Sequence, residues 1–326
     1  MESTRHKNEV LSRESHHEQG QMQNILFYEF AKLDPVIYQD RLLEICHSLQ
    51  LKGTILLAEE GINGCLSGVE ASTILFMDYL KGCEPFKNIV FKITPAEGHT
   101  FKKLKIQVKP EIIKLGTKVD LSQRGGYVEP DELKELLDTG KAVMVDMRNR
   151  YEADVGKFKD AIIAPIDVFN ELPHKLAELD AIKKAQEAGK VIVTYCTGGI
   201  RCEKATALLN ANGFEVKQLH GGIIEYGKVH GNAHWEGQCF VFDSRVALDL
   251  DPERPNEPKL KKLLRHALQK DEFDFLRHAV HTYESYVAQQ EDEELLSLFT
   301  AAKKAVMMKG YAKGSTSSEK NMMCSL

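Results

Sequence analysis

Apolar and polar residues alternate along the chain in two different ways, and the first pattern covers residues 24 to about 118. Short apolar runs at 25–30, 54–58 and 89–93 are typical of strands, and a return run at 65–67 follows a turn-rich segment. Apolar residues at helical spacing follow Asp34-Pro35, which suits an N-cap and a first helical position, and they recur over 74–80. The predicted order of elements is β-α-β-β-α-β.

This order is typical of a ferredoxin-like α+β domain, which we assign to residues 24–118. Residues 1–23 are mostly polar and lack an apolar period, so we predict a disordered tail there.

The pattern changes at residue 127, after a polar linker that contains glycine. Nearly continuous apolar runs at 142–146 and 191–195 alternate with helical segments, which predicts a doubly wound parallel sheet over residues 127–250. Helical periodicity returns over residues 259–308, beyond a second linker that contains three prolines. We therefore predict a helical C-terminal segment that forms a separate unit.

The composition narrows the class of protein. The 43 Lys and Arg residues and 48 Asp and Glu residues give a net charge of −5, which excludes a strongly basic nucleic-acid-binding coat. We expect a cytoplasmic protein, because we find neither a secretory signal nor an apolar run near the roughly 18 residues of a membrane helix. Seven scattered cysteines without a C-x-x-C pair argue against a disulfide framework and a zinc site, and no cofactor is evident. We expect solvated or packed side chains, rather than metal ligands, at His266, His278 and His281.

A local excess of positive charge occurs at residues 99–118, which hold six lysines and one glutamate. Lysines and apolar residues alternate there, so a strand would place the lysines on one face. The simplest interpretation is a solvated edge strand, where lysine is common. The alternative is an RNA-binding surface, for which the candidates are Lys102, Lys103, Lys105 and Lys109.

The most informative segment is 191–204, where an apolar strand leads into Cys196, a loop with two glycines follows, and a helix begins. We expect loop N–H groups and the positive end of the helix to surround the sulfur and favour its thiolate. Four residues separate Cys196 from Arg201, one fewer than in tyrosine phosphatases, so the smaller ring suits a single sulfur atom better than a phosphate. Arg201 offers a planar fork for an oxyanion. The predicted active-site loop is Thr197, Gly198, Gly199, Ile200 and Arg201.

The loop resembles the active-site loop of rhodanese-fold sulfurtransferases. Asp146-Met147-Arg148 follows a strand, as in that family, and Glu152 comes next. Lys157 and Asp160 depart from a pattern in which the family commonly has histidine and glycine. Asp146 and Arg148 are expected to support the loop rather than to perform chemistry.

A closer resemblance is to the rhodanese-domain tRNA uridine hydroxylases, carried by segments 58–63, 146–149, 196–204, 221–226 and 240–246. It implies an oxidoreductase that hydroxylates carbon 5 of the wobble uridine of tRNA. It also implies dioxygen as co-substrate, an unidentified electron donor, tRNA as partner, and Cys196 as the essential cysteine. Many relatives carry a cysteine-rich C-terminal segment, whereas this chain has Cys239 and Cys324 after residue 202.

Two other functions share the same loop. One is a sulfurtransferase that carries a persulfide on Cys196, and the other is a non-catalytic RNA-binding module. The intact pair of Cys196 and Arg201 argues against the second. Cys202 either packs inward or resolves an oxidised Cys196, and we favour packing. No oligomeric state is predicted.

Overall fold

The computed structural model describes residues 20–251, 260–270, 276–277, 279–280, 284, 287–288 and 292–314, apart from the side chains of 262, 263, 266, 270 and 309–314. They divide into two compact units, with the boundary between Lys114 and Leu115. Residues 1–19 of the predicted tail, the proline-containing linker at 252–259 and the side chains of His266, His278 and His281 lie outside the described residues.

The first unit is built on a five-stranded sheet with the strand order β4-β1-β3-β2-β5. The first four of these strands pair antiparallel in ferredoxin-like order, which confirms the predicted fold. β5 is added at the edge, parallel to β2. The elements are β1 (Met22–Phe30), α1 (Pro35–Ser48), β2 (Lys52–Ala58), β3 (Gly61–Val69), α2 (Glu70–Lys81), a 3₁₀ turn (Glu84–Phe86), β4 (Val90–Pro95) and β5 (Leu104–Val108).

Local sequence explains the start of α1, and tertiary pairing explains the start of β1. The Asp34 carboxylate accepts a hydrogen bond from the Val36 N–H at 3.0 Å, and Pro35 occupies the first turn. β1 begins at Met22 rather than at residue 25, because Gln23 pairs with strands on both sides. The Gln23 side chain also donates to the Thr73 hydroxyl at 2.6 Å.

The second unit contains a five-stranded, wholly parallel sheet with the order β6-β11-β10-β7-β9. Two further pairs, β8 with β12 and β13 with β14, form small antiparallel sheets. The strands of the whole unit are β6 (Tyr127–Val128), β7 (Ala142–Asp146), β8 (Gly156–Phe158), β9 (Ile162–Ile163), β10 (Val191–Tyr195), β11 (Val216–Leu219), β12 (Trp235–Gly237), β13 (Cys239–Phe240) and β14 (Ala247–Leu248). Its helices up to residue 230 are α3 (Pro130–Asp138), α4 (Arg150–Val155), α5 (Asp180–Glu187), α6 (Ile200–Ala211) and α7 (Gly222–His230), with 3₁₀ turns at Leu121–Gln123, Phe169–His174 and Leu176–Glu178. Because the strands run parallel, β7, β10 and β11 all end at the same edge, where ligands bind in open α/β sheets.

The C-terminal helices do not form a separate unit, and that prediction was wrong. α8 (Leu260–Lys270) and α9 (Glu293–Gly314) belong to the second unit. In α8, Leu260, Leu264 and Ala267 are spaced four and three residues apart and are buried. They share a hydrophobic cluster with residues of the parallel-sheet domain, including Tyr151, Phe240 and Val246. Burial of this apolar face accounts for the attachment.

No helix in the described part of the chain is both long enough and apolar enough to cross a membrane.

Candidate active site

Cys196 lies directly after β10, and its backbone is held by the neighbouring helix α7. The N–H groups of Ile223 and Ile224 donate to the carbonyls of Cys196 and Thr197 at 3.0 and 3.1 Å. This approach requires a glycine at 222, since a Cβ there would lie 2.5 Å from the Cys196 carbonyl oxygen. The cysteine is therefore fixed between the sheet edge and the start of two helices.

The loop curls around the sulfur through one of its two glycines. Gly199 has a φ of 101°, in the left-handed region, whereas the φ of Gly198 is not positive. The Gly199 N–H donates to the Cys196 Sγ at 3.2 Å, and α6 begins at the next residue. The sulfur therefore lies among backbone donors at a helix N-terminus, an arrangement that favours a negative charge.

The pKa of Cys196 is lowered to about 5, although the thiol is completely buried. Burial opposes ionisation, but a hydrogen bond from the Cys202 thiol, the charge of Arg201 and the N–H groups of Arg201 and Cys202 outweigh it. Cys196 is therefore a thiolate at neutral pH, which is the nucleophilic form of cysteine.

Cys202 is the protonated partner of this pair. Burial raises its pKa well above the usual value, and the adjacent Cys196 thiolate raises it further. Cys202 is buried as expected, but it also donates to the reactive sulfur. The favoured prediction of inward packing is therefore confirmed, and the resolving of an oxidised Cys196 by Cys202 stays a prediction.

The planar fork of Arg201, which the sequence suggests for an oxyanion, binds the carboxylate of Glu152. Both guanidinium amino groups donate to the Glu152 carboxylate, one of them at 2.8 Å, and both side chains are buried. The Glu152 carboxylate also accepts from the Asn149 N–H at 3.1 Å, so it caps α4 at the same time. Glu152 therefore fixes Arg201 beside the loop, and the positive charge of Arg201 still acts on the Cys196 sulfur.

Asp146 and Arg148 form a second buried ion pair at the end of β7. Arg148 donates to the two Asp146 carboxylate oxygens at 2.9 and 2.6 Å and to the Gly156 carbonyl at 2.7 Å. Its guanidinium carbon lies 5.6 Å from the Tyr195 ring centre and 5.4 Å from that of Trp235. These contacts join β7, β8 and β10 beneath the loop, so the pair has a structural position.

The four candidate RNA-binding lysines lie in the first unit, on β5 or immediately beside it. β5 is an edge strand, as the simpler interpretation predicts. Three of the four are exposed and Lys105 is partly buried: Lys102, Lys103, Lys105 and Lys109. Burial and the neighbouring Lys103 lower the pKa of Lys105.

Sequence reasoning missed two features of the site. Glu152 was noted only as a matching position, and nothing in local sequence shows that it pairs with Arg201, 49 residues away. Phe242 was noted only within a shared motif, yet its ring centre lies 5.8 Å from the Arg201 guanidinium carbon. Among the described residues, no group of three or more His, Cys, Asp or Glu side chains is arranged to hold a metal ion.

Comparison with known proteins agrees with both halves of this architecture. Residues 22–112 match the model of the UPF0176 acylphosphatase-like domain, and residues 129–228 match that of the rhodanese-like domain. A Bacillus halodurans protein of known structure is 26% identical, with a TM-score of 0.29, over 42% of this chain and 88% of its own.

Curated relatives span both domains. A tRNA uridine(34) hydroxylase from Cytophaga hutchinsonii is 43% identical over 238 residues, which are 72% of this chain and 75% of the relative. A tRNA uridine(34) hydroxylase from Bacillus cereus is 43% identical over 235 residues, or 70% of this chain and 72% of the relative. The chain therefore belongs to the tRNA uridine(34) hydroxylase family.

Proposed function

We propose that this protein is an oxidoreductase that hydroxylates carbon 5 of uridine 34 of tRNA, with Cys196 as its essential cysteine. Relatives named for that activity are 43% identical over about 70% of the chain. The observation that carries the proposal is the Cys196 thiolate, held by loop N–H groups with a pKa of about 5. A merely structural buried cysteine has the opposite shift, as Cys46 does, whose pKa is raised to about 12 by burial.

The overall reaction replaces a C–H bond of uracil by a C–OH bond. One oxygen atom of dioxygen enters the product, and the other leaves as water after taking up two electrons and two protons. In the proposal, dioxygen is the co-substrate and an unidentified electron donor supplies the two electrons. Within the site, the Cys202 thiol donates a hydrogen bond to the Cys196 sulfur. The positive charge of Arg201 stabilises the negative charge of the thiolate.

The proposed partner is tRNA, which we expect the protein to contact at its phosphates and at the target base. The lysines near β5 are the proposed phosphate contacts, which would contribute affinity without selecting a base. The target base must be read close to Cys196, because the reaction takes place on the base and single-stranded bases are read by stacking and hydrogen bonds.

The second candidate function is sulfur transfer through a persulfide on Cys196. It is favoured by one specific observation, the short loop in which the Gly199 N–H donates to the Cys196 Sγ at 3.2 Å. Incubation with thiosulfate followed by intact-protein mass spectrometry separates the two functions. A sulfur adduct on Cys196 that passes to an acceptor thiol, in a protein that leaves uridine 34 unmodified, would favour sulfur transfer.

Nucleoside mass spectrometry of tRNA from cells with and without the gene tests the main proposal. We expect 5-hydroxyuridine and its derivatives to disappear without the gene and to return with the wild-type gene. A Lys175→Gln variant serves as a control, since Lys175 is part of a solvent-facing ion pair in the same unit. Unchanged 5-hydroxyuridine in cells without the gene would refute the proposal.

A further inference from the structure

The motif at residues 240–246 forms a small hairpin that presents an aromatic ring beside the active-site loop. β13 and β14 pair at Cys239–Leu248 and Phe240–Ala247, and Phe242 lies in the connection between them. Phe240 is fully buried, whereas Phe242 is 41% exposed. Two aromatic residues two positions apart therefore have opposite environments, one anchoring the hairpin and the other facing solvent.

The connection is held rigidly. The Asp243 carboxylate accepts from Arg245 Nε and Nη2 at 2.9 and 2.6 Å, and Asp243 is buried. Val241 N–H donates to the Val246 carbonyl at 2.9 Å, and Val246 has a φ of 66°, which is rare for a β-branched residue. Such a conformation persists only where the surrounding contacts impose it. The position of Phe242 is therefore defined by the hairpin.

Phe242 also contacts Arg201, the residue whose charge acts on the reactive cysteine. Its ring centre is 5.8 Å from the guanidinium carbon of Arg201 and 5.1 Å from the ring centre of Phe240, with an edge-on geometry. Arg201 in turn lies close enough to Cys196 to lower the pKa of the thiol. The exposed Phe242 ring therefore adjoins the residue whose charge acts on the reactive cysteine.

We propose that Phe242 is a substrate-positioning residue on which the target nucleobase, or the base next to it, stacks when the anticodon loop is bound. The proposal rests on the proposed function, because it takes single-stranded RNA as the ligand. Bases splayed from a loop are commonly bound by stacking on aromatic rings and on arginine planes. Phe242 offers an exposed ring for such a contact, whereas Arg201 is buried, is paired with Glu152 and lies beside that ring.

The experiment measures binding of a synthetic RNA hairpin that carries an anticodon loop with uridine at position 34, using the full-length protein. Phe242→Ala is expected to weaken affinity between about fivefold and about 150-fold, the range found for the loss of one stacked base. Phe242→Trp keeps a ring and is expected to retain affinity. The matched control is Val229→Ala, since Val229 is 50% exposed on α7, and it should bind like the wild type.

A second hairpin, abasic at position 34 and its neighbours, completes the test. Without bases to stack, wild type and Phe242→Ala should bind it equally. The rate at which iodoacetamide alkylates Cys196 should match between the two proteins, because stacking does not contribute to the thiolate. Equal affinity of both proteins for the intact hairpin, a loss that persists on the abasic hairpin, or slower alkylation in Phe242→Ala would each overturn the proposal.

The outcome is separable from that of the proposed function. If wild-type protein forms 5-hydroxyuridine and the ring proves dispensable for binding, stacking on Phe242 fails alone. If no 5-hydroxyuridine depends on the gene but the ring-dependent affinity holds, the activity fails and the RNA contact stands.

Discussion

The ion pair between Glu152 and Arg201 allows the stability of the site to be separated from its reactivity. We consider Glu152→Gln, which keeps the shape of the side chain and removes its charge. The Arg201 guanidinium would then be buried without a counter-ion, since Glu152 is fully buried and Arg201 is 6% exposed. Breaking a buried pair from one side costs about 3–5 kcal/mol. The glutamine oxygen can still accept one hydrogen bond, so we expect a loss of about 3 kcal/mol, at the low end of that range.

Urea unfolding followed by tryptophan fluorescence measures this loss in the relevant unit. The chain has one tryptophan, Trp235, which is 7% exposed and packs within the second unit. With a slope of about 2 kcal/mol per molar urea, the midpoint should fall by about 1.5 M. The control is Glu178→Gln, which breaks a 2.7 Å ion pair whose partners are 35% and 51% exposed, and should shift the midpoint by less than about 0.5 M.

The reactivity of Cys196 should move differently. Arg201 keeps its positive charge in Glu152→Gln, and that charge helps to lower the pKa of Cys196. Alkylation of Cys196 should therefore not slow in the folded variant. Urea midpoints of the wild type and Glu152→Gln that agree within about 0.5 M would refute the reasoning about stability. A Cys196 in the variant that reacts as an ordinary thiol, with a pKa of about 8.5, would refute the reasoning about reactivity.

Four further predictions concern the thiol pair, pH, the lysines and the C-terminal helices. Cys202→Ala should raise the pH midpoint of Cys196 alkylation above about 5, because a hydrogen-bond donor to the thiolate is lost; mass spectrometry of the alkylated peptide measures it. Because the folded pKa of Cys196 lies below the unfolded value of about 8.5, its contribution to stability is complete above that value and is lost as the pH falls to about 5. Cys196→Ser should therefore flatten urea stability against pH within this window, and an unchanged curve would contradict the assigned pKa. Replacing Lys102, Lys103, Lys105 and Lys109 by glutamine should weaken tRNA binding and reduce its dependence on salt, without affecting Cys196 alkylation. Ending the chain after Asp251 should destabilise the second unit by at least about 3 kcal/mol in the tryptophan assay, since several buried apolar side chains are removed; wild-type stability would show that the helices are dispensable.

Much of the fold follows from local pattern because its elements satisfy local rules. The Asp34 cap and the apolar runs of β1, β7 and β10 all predict the elements that form. Two features lie beyond such reasoning. The pairing of Met22 and Gln23 with β3 depends on a distant strand, and the apolar face of α8 does not reveal which surface covers it.

The candidate site divides in the same way. The strand, the loop and the helix start around Cys196 are contiguous in sequence, so the low pKa of its thiol is predictable from the loop. Which glycine takes the left-handed conformation is not predictable, since both positions are glycine and the close approach of Gly222 to the Gly199 backbone comes from a distant part of the chain. The partners of Arg201, Glu152 and Phe242, come from other segments of the chain and become visible only when it folds.

The central claim is that the Cys196 thiolate is required to insert oxygen into uridine 34 of tRNA. Cells that lack the gene, complemented with the wild type, Cys196→Ser or Val229→Ala, can be grown under oxygen-18, and their tRNA nucleosides analysed by mass spectrometry. We predict 5-hydroxyuridine carrying the heavy isotope with the wild type and Val229→Ala, and none with Cys196→Ser. Labelled 5-hydroxyuridine at wild-type levels in cells that express a folded Cys196→Ser protein would contradict the claim.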